Sequence, residues 1–168
     1  MSISKEPRVV RTEEKKLAGR RLEMSFSHNR TFELWTTFMP KRRHFTNAVN
    51  EYLYSLQIYP DTNFFRQFDP KRTFVKWALL EVADYISLPD GMEPFLLPGG
   101  EYAVFDFKGS SAQAQNAFQY IYGEWLPASG YELDDRPHFE LLGSKYRRED
   151  PQSEEEIWIP VRLPGVFQ

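Results

Sequence analysis

The sequence predicts an α+β fold in which two pseudo-repeated strand–helix–strand–strand units form one antiparallel sheet, with helices on one face and a central ligand cleft. Three observations carry this reading. The same order of elements is legible twice along the chain. Each half holds only three strands and one helix, too little to bury its own apolar surface. A chain of 168 residues with 41% hydrophobic and 27% charged residues also has globular composition. Residues 1–168 therefore read as a single domain, with a first repeat over about 7–86, a linker over 87–97 and a second repeat over about 98–163.

In the first unit, residues 17–26 read as a strand. Asn29 can cap a helix that begins near Arg30, because its side chain accepts from an otherwise unpaired amide. Phe32, Trp35, Phe38 and Met39 recur at helical spacing and make one apolar face, and Pro40 ends or kinks the helix. Strands are expected over 51–59 and 74–85. In the second unit Pro98-Gly99-Gly100 is a turn and 101–108 a strand. Ser110 and Gln113 have capping-box spacing. Ala114, Phe118, Ile121, Tyr122 and Trp125 then share a helical face, which Pro127 and Gly130 stop. Short strands follow over 137–142 and 156–161, separated by a charged, loop-like stretch over 143–153. The linker is rich in turn residues.

Composition excludes several classes. No apolar run approaches the ~20 residues that a membrane span needs, and the N-terminus has no apolar secretion core, so a cytoplasmic location is the default expectation. The absence of cysteine rules out disulfides and thiolate chemistry. His28, His44 and His138 lack metal-ligand spacing, and there is no phosphate-binding or GxSxG motif, so no metal and no cofactor are expected. The formal charge of -3 is uneven: residues 1–43 carry eleven Lys and Arg against five Asp and Glu, the remainder ten against nineteen. The basic residues are scattered, as on a solvated face, and no membrane contact is expected.

The 14 Phe, 9 Tyr and 4 Trp are unusual in number, and large rigid rings favour pockets as well as cores. Side chains alternate along a strand, so His138, Glu140 and Leu142 share one face. In the last strand Ile157, Ile159 and Val161 make the natural face to lie against the helices, with Glu156 and Trp158 opposite. If these strands are neighbours, Glu140, Leu142 and Trp158 can project together into a cleft. A carboxylate among rings must be paired, hydrogen-bonded or neutralised, and a cationic ligand meets that need with cation–π attraction of roughly 0.5–2 kcal/mol per ring. An exposed cross-strand pair of Glu140 with an Arg or Lys fits the pattern equally well. Tyr54, Trp77, Phe105, Phe107 and Tyr122 are further candidates to line the cleft, with core packing as their alternative role. Glu81 is a candidate second acid, and Glu154-Glu155-Glu156 reads as a solvated loop end.

The segment 97–109, the helix carrying Trp125-Leu126-Pro127, Phe139-Glu140 and the stretch 156–160 together resemble the GyrI-like family, also known as the AraC-type effector-binding domain. Residues 22–26 and 34–40 resemble the first half of its stand-alone members, so the likeness runs from about Leu17 to Leu163. The resemblance implies two pseudo-repeated units around a ligand cleft. In it, a buried Glu on the penultimate strand meets cationic ligands beside an aromatic of the last strand, at the positions of Glu140 and Trp158, with Leu142 nearby. Regulators of this kind add a helix-turn-helix, for which no length remains here, so direct nucleic-acid binding is not expected. Three functions follow as expectations. The first is a sensor or sequestering protein for hydrophobic, cationic or electrophilic small molecules. The second is a hydrolase of strained cyclopropane electrophiles using Glu140 with Trp158. The third is an interaction module for a topoisomerase or a separate bacterial transcription regulator. Exposed strand edges also allow a homodimer.

Overall fold

A computed structural model describes residues 1–165. The two repeats are present in the predicted order. The first comprises β3 (Lys15–Met24), α1 (Thr31–Phe38), β4 (Leu53–Ile58) and β5 (Phe74–Glu81). The second comprises β7 (Gly100–Lys108), α2 (Ala114–Tyr120), β9 (His138–Leu142) and β10 (Glu154–Arg162). Every strand pairing is antiparallel, and with β1 (Ser2–Ile3) and β6 (Glu93–Leu97) at its ends one sheet runs through both repeats in the order β1-β7-β10-β9-β4-β5-β3-β6, two further short strands off this path bringing it to ten. The repeats join where β4 pairs with β9, from Leu53 opposite Leu142 to Gln57 opposite His138.

Four short strands were not expected from the sequence. β1 (Ser2–Ile3) and β2 (Arg8–Thr12) both pair with β7, so the N-terminal arm extends the sheet of the second repeat rather than the first. β6 (Glu93–Leu97) lies inside the expected linker and pairs with β3, and β8 (Glu132–Leu133) pairs with β10. The linker reading followed the prolines, but Pro94 sits in an edge strand, where a missing N–H costs no ladder bond on the open side.

Both helices cover the same face of the sheet. Leu34 and Phe38 of α1 pack on Ala18, Ala78 and Leu80, while Ala117 of α2 and Ile121 beyond it pack on Ala103, Phe105, Ile157 and Ile159. The opposite face carries Leu17, Leu56, Trp77, Leu79, Val104 and Phe139, and the sheet curls until Leu17 and Leu97 share one cluster with Tyr102 and Val104. Strand alternation thus serves two apolar layers, most fully in β4 and β5 at the middle of the sheet.

Local signals set the helix ends. The Asn29 Oδ1 accepts from the Thr31 N–H at 2.9 Å, and Gln113 Oε1 accepts from the Ser110 N–H at 2.9 Å in a full capping box. Pro40 does not stop the first helix outright but falls in a tighter 3₁₀ extension, Met39–His44. Nor does Pro127 end the second. A π-helical turn (Ile121–Trp125) precedes it, and Pro127 lies in the first turn of α3 (Leu126–Ser129), which Gly130 ends at φ 81°. Proline lacks the N–H that a regular turn requires, and a wider turn just ahead of it absorbs the defect. Among the described residues no helix is long and apolar enough to cross a membrane.

Gly19 shows how closely the strands fit. A Cβ there would lie 1.8 Å from the Ala78 carbonyl oxygen. Gly19→Ala is expected to lower stability by roughly 2–3 kcal/mol, because backbone must move. Gly123→Ala, with nothing within 4 Å of its added carbon, is expected to be neutral or to stabilise by up to about 1 kcal/mol. Denaturant midpoints of the two variants measure the contrast.

Candidate functional site

The register across the seam determines which side chains meet. On the helix-covered face, Ser55 lies opposite both Ala78 and Glu140, and Glu140 lies opposite Ile157. One step along, Lys76 faces Gln57, which faces His138. On the other side of that row are Leu53 and Leu142, with Glu155 on the neighbouring β10. α1 lies over β3 and β5, and α2 over the β7–β10 side. Ala78 lies under α1 with Leu34 and Phe38, and Ile157 lies under α2; between these two packed layers are the seam residues Ser55 and Glu140, and a trough runs there between the helices with Glu140 on its floor.

The trough is closed at both ends. At one end the connection after β4 carries Tyr59, Phe64 and Phe65. Phe65 stacks on Tyr122 at 4.1 Å with an 11° interplanar angle, and Tyr59 meets His138 edge-on at 4.9 Å. The Tyr122 hydroxyl and His138 Nδ1 are 2.8 Å apart. At the other end the 143–153 connection crosses the helix starts: the Ser111 N–H and hydroxyl both donate to the Arg148 carbonyl, and the Arg148 guanidinium lies 5.3 Å from the Phe32 ring of α1.

The repeats are related by a pseudo-two-fold axis through the Ser55–Glu140 pair. It superposes the Ala18, Ala78, Leu80 and Val82 layer on Ala103, Ile157, Ile159 and Val161, residue for residue. The same operation exchanges Lys76 with Glu155. A cation and an acid therefore occupy equivalent places on either side of Glu140.

Lys76, Glu140 and Glu155 are surrounded by protein yet each keeps a partial opening to water. Burial raises the Glu140 carboxyl above its usual range, and Lys76 and Gln57 hold that rise back. Burial, with the nearby Glu140 charge, pushes Glu155 up to about 8 despite Lys76. Burial lowers Lys76, against the pull of both acids. Its ammonium donates to Thr31 Oγ1 at 3.3 Å, and among the described residues no carboxylate comes within 4.0 Å of it to form an ion pair. Burial pushes His138 down to about 3, so its imidazole is neutral, and the buried Tyr59 and Tyr122 phenols are raised and stay protonated.

Of the residues expected to form the site, the structure brings Glu140 and Tyr122 into this trough, with Leu142 beside the acid. Phe105 and Phe107 share its face but are 0% and 2% exposed beneath the second helix, with Phe105 5.1 Å from Trp125. Trp158, Tyr54 and Trp77 are on the opposite face, which corrects the expectation that Trp158 projects with Glu140. Trp158 lies opposite Phe139 and stacks on it at 5.1 Å and 18°, Tyr54 packs on the same Phe139, and Trp77 packs on Phe95. Being neighbours was right for β9 and β10, but the parity of their pairing is the reverse of the one assumed, and a one-residue change moves every side chain to the other face. Glu81 also points away from the trough, toward Lys15 and Asn50.

Sequence reading missed Lys76, Gln57, Tyr59, Phe65 and Glu155, and it put His138 on the Glu140 face without giving it a role in the site. Two signals were available. Lys76 stands between Phe74 and Ala78 at strand period, and Glu155 is two residues before Ile157, so both hold places on a face otherwise apolar. Within the acidic run, Glu154 pairs with Lys145 and Glu156 with Arg8, leaving Glu155 alone directed inward. Two surface hollows lie elsewhere, about 110 Å³ beside Arg20 and Gly91 and about 400 Å³ beside Lys41 and Asp90. Neither is lined by a Phe, Tyr or Trp. No cluster of three His, Asp or Glu suited to a metal ion occurs among the described residues.

Comparison with known proteins agrees with this architecture. Over 93 residues the chain is 34% identical to the transcriptional regulator BrlR of Pseudomonas aeruginosa, a match that takes in 55% of this chain and 34% of BrlR, so the shared segment spans about a third of the regulator. The structure of SAV2435 bound to tetraphenylphosphonium shares the fold at TM-score 0.65 and 14% identity, covering 94% of both chains. A hydrolase encoded by lin2189 of Listeria innocua does so at TM-score 0.59 and 11% identity, covering 94% of this chain and 92% of its own. The family model for the GyrI-like small molecule binding domain matches residues 5–162, nearly the whole of the two repeats and their shared trough, and the chain belongs to that family.

Proposed function

We propose that the trough between α1 and α2 binds hydrophobic, ring-bearing small molecules that present a positive charge or a hydrogen-bond donor to Glu140, and that the protein serves as a sensor or sequestering agent for them. The observation that carries this is an enclosed carboxylate on the trough floor, with Tyr59, Phe65 and Tyr122 around it and no ion pair within 4.0 Å among the described residues. Such an acid gains most from a ligand that supplies the missing partner. Ring faces add roughly 0.5–2 kcal/mol each for a cation set over them. The binding of tetraphenylphosphonium by a protein of the same fold supports the cationic class. Entry requires that the Phe65–Tyr122 contact or the 143–153 crossing part.

A second reading is favoured by one observation. Burial raises both Glu140 and Glu155, and Glu155, at about 8, is suited to giving and taking a proton near neutral pH. With a hydrolase among the neighbours of the fold, hydrolysis of an electrophilic ligand is a natural extension. Glu140 would then act as the base on water or protonate the leaving atom.

Three outcomes are expected. Glu140→Gln weakens binding of tetraphenylphosphonium by at least about tenfold in calorimetric titration, since a charged partner is removed at a part-buried site. Trp158→Phe, on the far face, changes it by less than about twofold; the reverse pattern would return the site to the other side of the sheet. Cation affinity measured between pH 6.5 and 9 rises with pH. Glu155 is protonated below about 8, so each step upward adds negative charge to the bound-state environment, and Glu155→Gln reduces the rise. For hydrolysis, product must exceed one equivalent per protein with a reactive cyclopropane electrophile and fall to background in Glu140→Gln; uptake that stops at one equivalent rejects the second reading.

A further inference from the structure

Resting on the trough as the ligand site, we propose that Lys76 is its specificity-determining residue: a fixed ammonium across from the Glu140–Glu155 pair selects amphoteric ligands, which carry an acceptor or anionic group as well as a cationic or donor group, over simple lipophilic cations.

The geometry is that of a polarised trough. Lys76 and Glu155 stand at pseudo-two-fold equivalent positions with Glu140 on the axis between them. The operation that superposes the two apolar layers thus sets a basic group against an acidic one. Lys76 has three N–H donors, and the bond to Thr31 Oγ1, at 3.3 Å, is at the long end of the hydrogen-bond range. Thr31 Oγ1 has its own contact with Met24 Sδ at 3.6 Å. No carboxylate reaches Lys76 within 4.0 Å among the described residues, although Glu140 and Glu155 are near enough to act on its charge. Among the uncharged groups on the same face, Gln57 gives its amide to the Ser55 carbonyl at 3.4 Å. The imidazole of His138 is neutral and engaged with Tyr122.

An ammonium so enclosed gains from an acceptor brought by the ligand. It repels a ligand that brings only positive charge. Both effects act on the same molecule when it bears two opposite groups: the acceptor meets Lys76 and the donor meets Glu140. Discrimination by a like charge at a part-buried site is on the order of tenfold or more.

The test uses a dye pair that differs only at one group: rhodamine B, a zwitterion at neutral pH, and its ethyl ester, a cation with the same ring system. Fluorescence anisotropy gives the affinity of each for the wild-type protein, Lys76→Met, Lys76→Arg and Glu140→Gln, with thermal melts to establish that each variant is folded. Wild type is expected to bind the zwitterion about tenfold more tightly than the ester. Lys76→Met is expected to lose that preference by weakening the zwitterion and strengthening the ester, and Lys76→Arg to keep it. Should Lys76→Met preserve the wild-type ratio, or Lys76→Arg lose it, the proposal is wrong whatever the role of Glu140. Glu140→Gln is expected to weaken both dyes. If it weakens neither while Lys76→Met shifts the ratio, the acid reading falls and the lysine reading stands. Failure of the wild-type protein to bind either dye up to its solubility limit overturns both.

Discussion

The parity of one strand pairing governs this molecule. Because Ser55 lies opposite Glu140 where β4 meets β9, the acid faces the helices and not the apolar interior of the curled sheet. A shift of one residue would bury the carboxylate between Phe139 neighbours and expose two large apolar side chains, a change opposed by several kcal/mol. The helices then determine how much of the acid is covered. Each sits over its own repeat, α1 on Ala78 and α2 on Ile157, and the seam residues Ser55 and Glu140 belong to neither packed apolar layer. The trough is what remains when two identical packing solutions are set side by side.

Burying three ionisable groups in that trough is costly, and the arrangement offsets the cost only in part. Direct ion pairs are the usual remedy, yet the Lys76 ammonium turns to Thr31 and the acids remain more than 4.0 Å from it. Glu155 answers by staying protonated near neutral pH and His138 by staying neutral. Tyr122 holds His138 and stacks on Phe65, so the polar floor and the aromatic end wall are one connected structure. Sites held short of full compensation are those where an added partner changes the energy most.

Much of the fold was legible in the sequence because the repeats are written in residues with strong local meaning. Asn29, the Ser110/Gln113 box and the helical spacing of Phe38 and Ile121 each dictate a local conformation without help from distant contacts. The edge strands were not legible, since β2 and β6 are short, carry prolines or charges, and acquire a ladder only from β7 and β3. The acid itself was legible as a charge amid apolar alternation. Its partner was not. His138-Phe139-Glu140-Leu141-Leu142 has apolar residues on both faces, so nothing local says whether Phe139 or Glu140 shares a face with Trp158, and Trp158 was assigned to the wrong side. The strand position of Lys76, between Phe74 and Ala78, carried the better clue.

Duplication explains the trough, and departures from duplication explain its chemistry. A strictly symmetric pair of repeats would place an acid at position 55 directly opposite Glu140, and like charges at that spacing destabilise a sheet; a serine stands there instead. It would also give both outer positions one sign of charge, producing either three acids around a single ligand or two cations flanking one acid. The chain has Lys76 at one and Glu155 at the other. The apolar layer is conserved between the repeats at Ala18 and Ala103, Leu80 and Ile159, and Val82 and Val161, so the two-fold relation is kept wherever packing requires it. It is broken at the charged positions, where a direction along the trough is useful. A ligand that reads both ends is held in one orientation, and that is the property which separates recognition from mere burial.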